Sequence, residues 1–232
     1  MNYAHQNPER YAPSKAQAQA YGESDFAAIR NCFNGIVKSS KILEIGCGTG
    51  NLLYFLKIMG YNSCQGVEMS VDLSDYARKE LCLEVTHADW IGFFSQSVEL
   101  YDVIIALDVV EHLRAEDCIA AFALSRAHLR PGGRLILRTP SAECPFVLPT
   151  YCGDLTHRTL FSADLLEHSL KEAGFSGQIT FWETRPFSPV KRALFITIHH
   201  LVIWPLITLF YFHFHHKRPR VITRNMYCAA QI

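Results

Sequence analysis

An excess of charge of either sign is missing from this 232-residue chain: 22 Lys and Arg offset 22 Asp and Glu, so the formal net charge is zero. That balance disfavours a polyelectrolyte as the general partner, and no nucleic-acid partner is expected. Also missing is any Cys-x-x-Cys pair. The eight cysteines, at positions 32, 47, 64, 82, 118, 144, 152 and 228, never take that spacing. They read as reduced thiols, not as a disulfide framework or a zinc site. The opening residues from Met1 to Gln6 hold no basic stretch leading into an apolar one, so no secretory leader is expected there. The expected location is cytoplasmic. No internal repeat is visible, and the length suits one domain with decorations.

What the chain does have is regular alternation. Ile42, Leu43 and Ile45 form a short apolar run that carries Glu44 and breaks into Gly46, Gly48 and Gly50, followed at once by an amphipathic stretch, Asn51 to Met59. This reads as buried strand, tight turn and helix, the opening unit of a doubly wound α/β sheet. The glycine spacing is not the GxGxxG of dinucleotide sites, and no Gly-Lys-Ser/Thr follows as a phosphate loop requires. Further strands are expected at 63–67, 83–86, 102–106, 134–138 and 179–183, and helices at 71–80, 116–129 and 162–173. The turn Arg130 to Gly133 should launch the fifth strand. Residues 1–22 read as a polar arm, with Ser24 capping a helix that runs to Val37. The expected division is an N-terminal arm and helix (1–37), a core (38–190), an apolar insert (191–219) and a last core strand (220–232).

Acidic residues stand at the ends of these strands. Glu68 follows the second, 24 residues beyond Glu44; Asp89, with Trp90 beside it, follows the third; Asp108 follows Leu107 at the end of the fourth. Taken singly, each is equally a helix cap or a solvated turn. Their joint order is similar to motif I and the succeeding acids of the class I S-adenosylmethionine-dependent methyltransferases. That resemblance implies a seven-stranded Rossmann-like sheet and S-adenosylmethionine as cofactor. It also implies a cofactor site of Glu44, Gly46, Cys47, Gly48, Gly50, Glu68, Met69, Asp89, Trp90 and Leu107. In it Glu68 takes the ribose hydroxyls, Asp89 the adenine amino group, and Trp90 forms an aromatic wall. Cys47 reads as a small filler of the loop, not as a nucleophile.

Asp108, Glu111 and His112 are spaced i, i+3 and i+4, which on a helical turn would place them on one face. The stretch resembles that of the ubiquinone-biosynthesis O-methyltransferases. A similar acidic-x-x-Glu-His in small-RNA 2′-O-methyltransferases binds Mg²⁺ with a later histidine, and His157 in Asp154-Leu-Thr-His157 is a candidate for that partner. Two chemistries stay open. His157 or His112 acts as a general base with Glu111 beside it, or Asp108, Glu111, His112 and His157 hold Mg²⁺ or Mn²⁺ that acidifies the acceptor hydroxyl. A purely structural role is the third alternative.

The segment from Thr139 to Phe161 looks like the acceptor loop of methyltransferases of bacterial O-antigen and exopolysaccharide synthesis. Those proteins carry an apolar stretch between strands six and seven and then a Thr-x-Asn strand, matched here by Thr223 to Asn225. Residues 193–214 contain no Asp, Glu, Lys or Arg. That length suits a bilayer span, but His199, His200, His213 and Pro205 interrupt it, and a span would strand the seventh strand on the far side. Two short helices meeting near Pro205 and lying in the membrane interface are expected, with burial against protein as the alternative. These features imply an O-methyltransferase for a sugar hydroxyl of a surface-glycan precursor at the inner face of the cytoplasmic membrane. The alternatives are a lipophilic acceptor such as a polyprenylated phenol, or a non-catalytic cofactor-binding scaffold. A homo-oligomer is compatible with either enzyme reading.

Overall fold

The computed structural model describes residues 12–183, 201, 202, 204–215 and 219–232. Seven strands form one sheet: β1 (Ile42–Ile45), β2 (Cys64–Glu68), β3 (Val85–His87), β4 (Tyr101–Leu107), β5 (Leu129–Pro140), β6 (Ile179–Trp182) and β7 (Asn225–Gln231). Their order is β3-β2-β1-β4-β5-β7-β6. Neighbours from β3 through β5 pair parallel, whereas β7 runs antiparallel between β5 and β6. The expected doubly wound methyltransferase sheet is therefore present.

The helices are α1 (Lys15–Ile29), α2 (Asn51–Ile58), α3 (Val71–Glu80), α4 (Trp90–Gln96), α5 (Ala115–Ala127), α6 (Leu148–Tyr151), α7 (Ala163–Glu172) and α8 (Trp204–His215). Side chains alternate across the sheet, as the two-residue period of a strand requires. Along β4, Ile104 and Ala106 join a core with Phe122, Leu166 and Phe175 on one face, while Val103 and Ile105 join Phe26, Leu52 and Phe55 on the other. Both faces are covered, so all four residues of β1 are buried. Glu44 goes into the interior with them.

Three expectations change. The N-terminal segment is not wholly an arm, and Ser24 caps nothing. The helix starts ten residues earlier, at Lys15, because Ser14 and Gln17 close a capping box, with Ser14 N–H donating to Gln17 Oε1 at 2.8 Å. α1 lies so close to α2 that a Cβ on Gly22 would sit 2.1 Å from the Asn51 carbonyl oxygen, so only glycine fits. The turn at Arg130 does not precede β5 but lies within it, and the β4–β5 register shifts between Tyr101 and Val103 to absorb it. Trp90 begins a helix, α4, that the strand-and-loop reading lacked. Of the two helices expected around Pro205, one is seen as α8, with Pro205 in its first turn where a missing N–H costs nothing. The other falls outside the described residues.

Candidate active site

The carboxyl ends of β1, β2 and β4 lie side by side, with Ile45 opposite both Val67 and Ala106. The glycine loop opens there. Gly46 has φ +66° and Gly48 φ +54°, and the two differ in surroundings. A Cβ on Gly46 would meet Val109 Cγ2 at 2.4 Å, whereas one on Gly48 would meet nothing within 4 Å. Gly46 is thus required for packing, and Gly48 presents bare backbone to open space. Gly50 leads into α2 and packs on Leu83.

Glu68 closes the next strand end. Gly48 N–H donates to its Oε2 at 2.9 Å and Ser70 N–H to its Oε1 at 2.8 Å. Each carboxylate oxygen keeps a further lone pair for a donor on a ligand. Cys47 is buried against Gly66, and burial, then Glu44 and Glu68, raise its thiol far above the ordinary range. It is a protonated filler. Glu44 is buried beneath the loop with Oε2 unpartnered. Burial and then Asp25 push its carboxyl well up, against a smaller opposing pull from Arg138.

Asp89 caps α4, its Oδ1 accepting from Gly92 N–H at 2.7 Å, and remains exposed. A cleft of about 580 Å³ passes along Thr86, Ala88, Asp89 and Phe93, but neither the glycine loop nor Glu68 borders it. Trp90 corrects the expectation of an aromatic wall. It is buried, its Nε1–H donates to Ser125 Oγ at 3.0 Å, and its ring meets Phe122 edge-on. Met69 is 72% exposed on the turn after β2, and Leu107 is buried at the end of β4.

Asp108 does not join the acceptor cluster. Its backbone is left-handed, with φ +56°, so it never enters the helical turn that would align it with Glu111 and His112. Its carboxylate is held by the fork of Arg138, Nε to Oδ1 at 2.8 Å and Nη2 to Oδ2 at 2.6 Å, while Nη1 of the same arginine reaches Asp25 on α1. Both oxygens being engaged by a guanidinium, Asp108 is withdrawn as a metal ligand. Arg138 was not singled out from the sequence. Its signal was there: a cation inside the apolar run of β5 must find acids.

Glu111 and His112 stand on a short 3₁₀ turn, Val110–His112. Glu111 is 1% exposed, and its Oε2 has no hydrogen-bond partner. Burial first and Asp108 second raise its carboxyl to about 8. The Glu111 carbonyl accepts from Arg158 N–H at 2.7 Å and Thr159 N–H at 3.1 Å, which draws the loop carrying His157 onto this turn.

That loop brings three polar side chains into series. The Thr156 hydroxyl lies 2.6 Å from Asp154 Oδ1 and 2.8 Å from His112 Nδ1. A carboxylate only accepts, so the single hydroxyl proton goes to Asp154 and His112 Nδ1 must be the donor to Thr156. These partners assign the tautomer in which His112 Nε2 carries a free lone pair. His157 is assigned likewise: its Nδ1 lies 2.7 Å from the Tyr151 carbonyl oxygen, and its ring stacks on Tyr151. The two imidazoles are 4.8 Å apart between centroids. Burial, followed by the charge of His157, lowers the His112 pKa. Glu111, His112 and His157 can each offer one donor atom within 4.8 Å of the others.

The loop is closed at its base. Glu143, buried, accepts from Ala163 N–H at 2.9 Å through Oε1 and from Val221 N–H at 3.0 Å through Oε2, which Arg220 N–H also reaches. Ala142 N–H donates to the Phe161 carbonyl at 2.8 Å.

A glycine turn against open space, an acid at the end of β2 and an antiparallel β7 between β5 and β6 together define the fold of the S-adenosylmethionine-dependent methyltransferases. Solved structures agree. A SAM dependent methyltransferase from Archaeoglobus fulgidus superposes with TM-score 0.69 at 18% identity, covering 100% of both chains. Magnesium protoporphyrin IX methyltransferase from Synechocystis, with bound SAH, gives 0.59 at 16% identity over 92% of this chain and 82% of its own. A family model described as "Methyltransferase domain" matches residues 3–178. The chain belongs to this methyltransferase family. It is also similar to the "Ubiquinone biosynthesis O-methyltransferase" of Rickettsia felis, 30% identical over 114 residues, 48% of this chain and 45% of that protein. The counterpart in Rickettsia prowazekii is 28% identical over 48% of this chain and 44% of its own. The match thus spans less than half the length of these curated relatives.

Proposed function

We propose that the chain is an S-adenosylmethionine-dependent O-methyltransferase in which His112 takes the proton from the acceptor hydroxyl. The observation that carries this reading is the Asp154–Thr156–His112 series, which leaves Nε2 as a bare lone pair. The chain's groups fit the cofactor: open space over Gly48, a fixed carboxylate at Glu68 and the unpartnered Oε2 of Glu44. When bound, the cofactor supplies an electrophilic methyl group on a sulfonium. The glycine loop and Glu68 hold it, and Asp89 Oδ2 remains for an amino group. His112 Nε2 would accept the proton of the acceptor hydroxyl as its oxygen takes the methyl group and the cofactor leaves as its neutral thioether. The imidazolium so formed is steadied through Thr156 by Asp154. Partial burial raises that carboxyl, but the hydrogen bonds from Thr156 hold it below the ordinary range.

For the acceptor, a lipophilic phenol is the better supported class. The named activity of the Rickettsia relatives and the exposed apolar residues of α8 both favour it. The test is methyl transfer from labelled cofactor to a polyprenylated catechol and to a lipid-linked sugar, with wild type and His112→Ala. Label in the catechol from wild type alone supports the reading. Label in the sugar instead returns the glycan acceptor, and cofactor binding with no transfer to either, or to the host's lipid and polysaccharide extracts, makes the scaffold reading the better one.

A metal-assisted route is a second reading, favoured by one observation: Glu111, His112 and His157 converge with two histidine nitrogens free of protons. Those three would hold Mg²⁺ or Mn²⁺, whose chemistry is to acidify a bound hydroxyl. The two readings compete for the same His112 lone pair. Activity lost in EDTA and restored by Mn²⁺ would replace the base by the metal.

A further inference from the structure

We infer that the outer face of α8 docks on the headgroup region of an anionic lipid bilayer. The helix has two unlike sides. Trp204, Ile207, Thr208 and Tyr211, at the i, i+3, i+4, i+7 spacing of one helical face, are half-buried. Tyr211 feels the charges of Glu143 and Asp164, so this face rests near the base of the acceptor loop. The other side is apolar and turned outward: Leu206 is 61% exposed, Leu209 68%, Phe210 57% and Phe212 55%, with Leu201 at 73% just before the helix. So many large apolar residues on one short helix exceed what a solvated surface ordinarily carries.

Charge identifies the occupant. The chain as a whole is neutral, yet residues 184–232 hold seven Lys and Arg and no Asp or Glu, while the first 183 hold 15 against 22. The segment that contains α8 therefore carries a net positive charge, which the net negative charge of the first 183 residues offsets. Lys191 and Arg192 precede the apolar run, and Lys217 and Arg218 follow α8 after one residue. Arg220 is engaged with Asp164 and Glu167. An apolar helix flanked in sequence by cations complements a surface that is apolar beneath and anionic at its rim, which is a lipid leaflet with acidic headgroups. A soluble protein partner would match the apolar face but gives no reason for cations at both ends. No helix among the described residues is long and apolar enough to cross a membrane. With a rise of about 1.5 Å per residue, α8 spans well under the bilayer core. It lies along the surface.

The experiment is co-sedimentation of the full chain with vesicles of phosphatidylcholine alone or with phosphatidylglycerol added. Wild type is expected to partition at least about tenfold better onto the anionic vesicles at low salt and to be released as ionic strength rises. Leu206→Asp with Leu209→Asp should lower that partition about a hundredfold, while the thermal midpoint stays that of the wild type. Equal binding by wild type and double variant would overturn the inference, as would no vesicle binding by folded wild type. A wild-type dimer that the two substitutions split into monomers would overturn it in favour of a second copy of the chain.

Discussion

At the glycine loop, the groups that would meet a ligand are main-chain atoms or a carboxylate already tied to main chain. Gly48 and Ser70 fix Glu68, and Gly48 itself has no side chain to move. At His112 the construction is reversed. Side chains are oriented by other side chains, Asp154 through Thr156, or by a single carbonyl, Tyr151 to His157. The first end is set as soon as β1, β2 and α2 pack. The second depends on a loop some 45 residues further on folding back over the Val110–His112 turn. Holding a ligand and polarising it are thus separable in this molecule, which substitutions can test.

The largest separation is expected from opposite substitutions at the two ends. His112→Ala should lower methyl transfer about 10²- to 10⁴-fold and leave the Kd for S-adenosylhomocysteine within about twofold, because no cofactor-side group depends on it. Gly48→Val should do the reverse, weakening that Kd about a hundredfold by placing a branched side chain in the open space at a left-handed backbone position. Calorimetric titration and single-turnover rates read the pair. If His112→Ala loses cofactor affinity as severely as Gly48→Val, the two ends are one unit and the comparison fails.

A finer division lies within the acceptor end. The pKa of His112 is lowered, so the unprotonated base persists at pH below the ordinary histidine range, and the acid limb of kcat/KM should fall below about 6.5. Asp154→Asn keeps an acceptor for Thr156 but removes the negative charge that favours the imidazolium. The limb should move to still lower pH and the plateau drop about tenfold. An unchanged limb would mean that Asp154 only positions the loop.

The smallest effect concerns Glu111. Its folded-state carboxyl is raised to about 8 from an ordinary 4.5, so the folded protein binds the extra proton. The stability linked to that proton is fully present below pH 4.5 and is lost as pH rises through 8. Glu111→Gln cannot ionise. Its stability relative to wild type should therefore increase across that window, read from thermal midpoints. A difference that does not change with pH would show that Glu111 ionises in the folded protein as readily as in the unfolded chain.

Much of the cofactor end was legible because local chemistry and global fold agree there. The break from apolar run to spaced glycines located β1 and its turn, and α3 falls at Val71–Glu80 as its pattern predicts. What failed depended on which side a residue faces after a strand ends. Trp90 stands where an aromatic wall would, but the turn into α4 sends it inward to Ser125. Asp108 has the spacing of a ligand set, yet a left-handed residue breaks the helical phase and Arg138, 30 residues away, claims it. Ser14 with Gln17 was a readable helix start inside a stretch whose low hydrophobicity suggested an arm. Thr156 drew attention only as a neighbour of His157; that it hands His112 its tautomer needs the fold.

Glu143 makes the acceptor loop a cassette. Its two oxygens join the first residue of α7 to the returning chain at Val221, and the backbone pairing of Ala142 with Phe161 seals the same gap. Everything between residues 144 and 160 hangs from ends that this carboxylate has already fastened. Such a segment can exchange its residues, and with them the shape of what it accepts, while the sheet below keeps its register. In this molecule the residues that fasten the ends of the loop are distinct from those the loop carries between them.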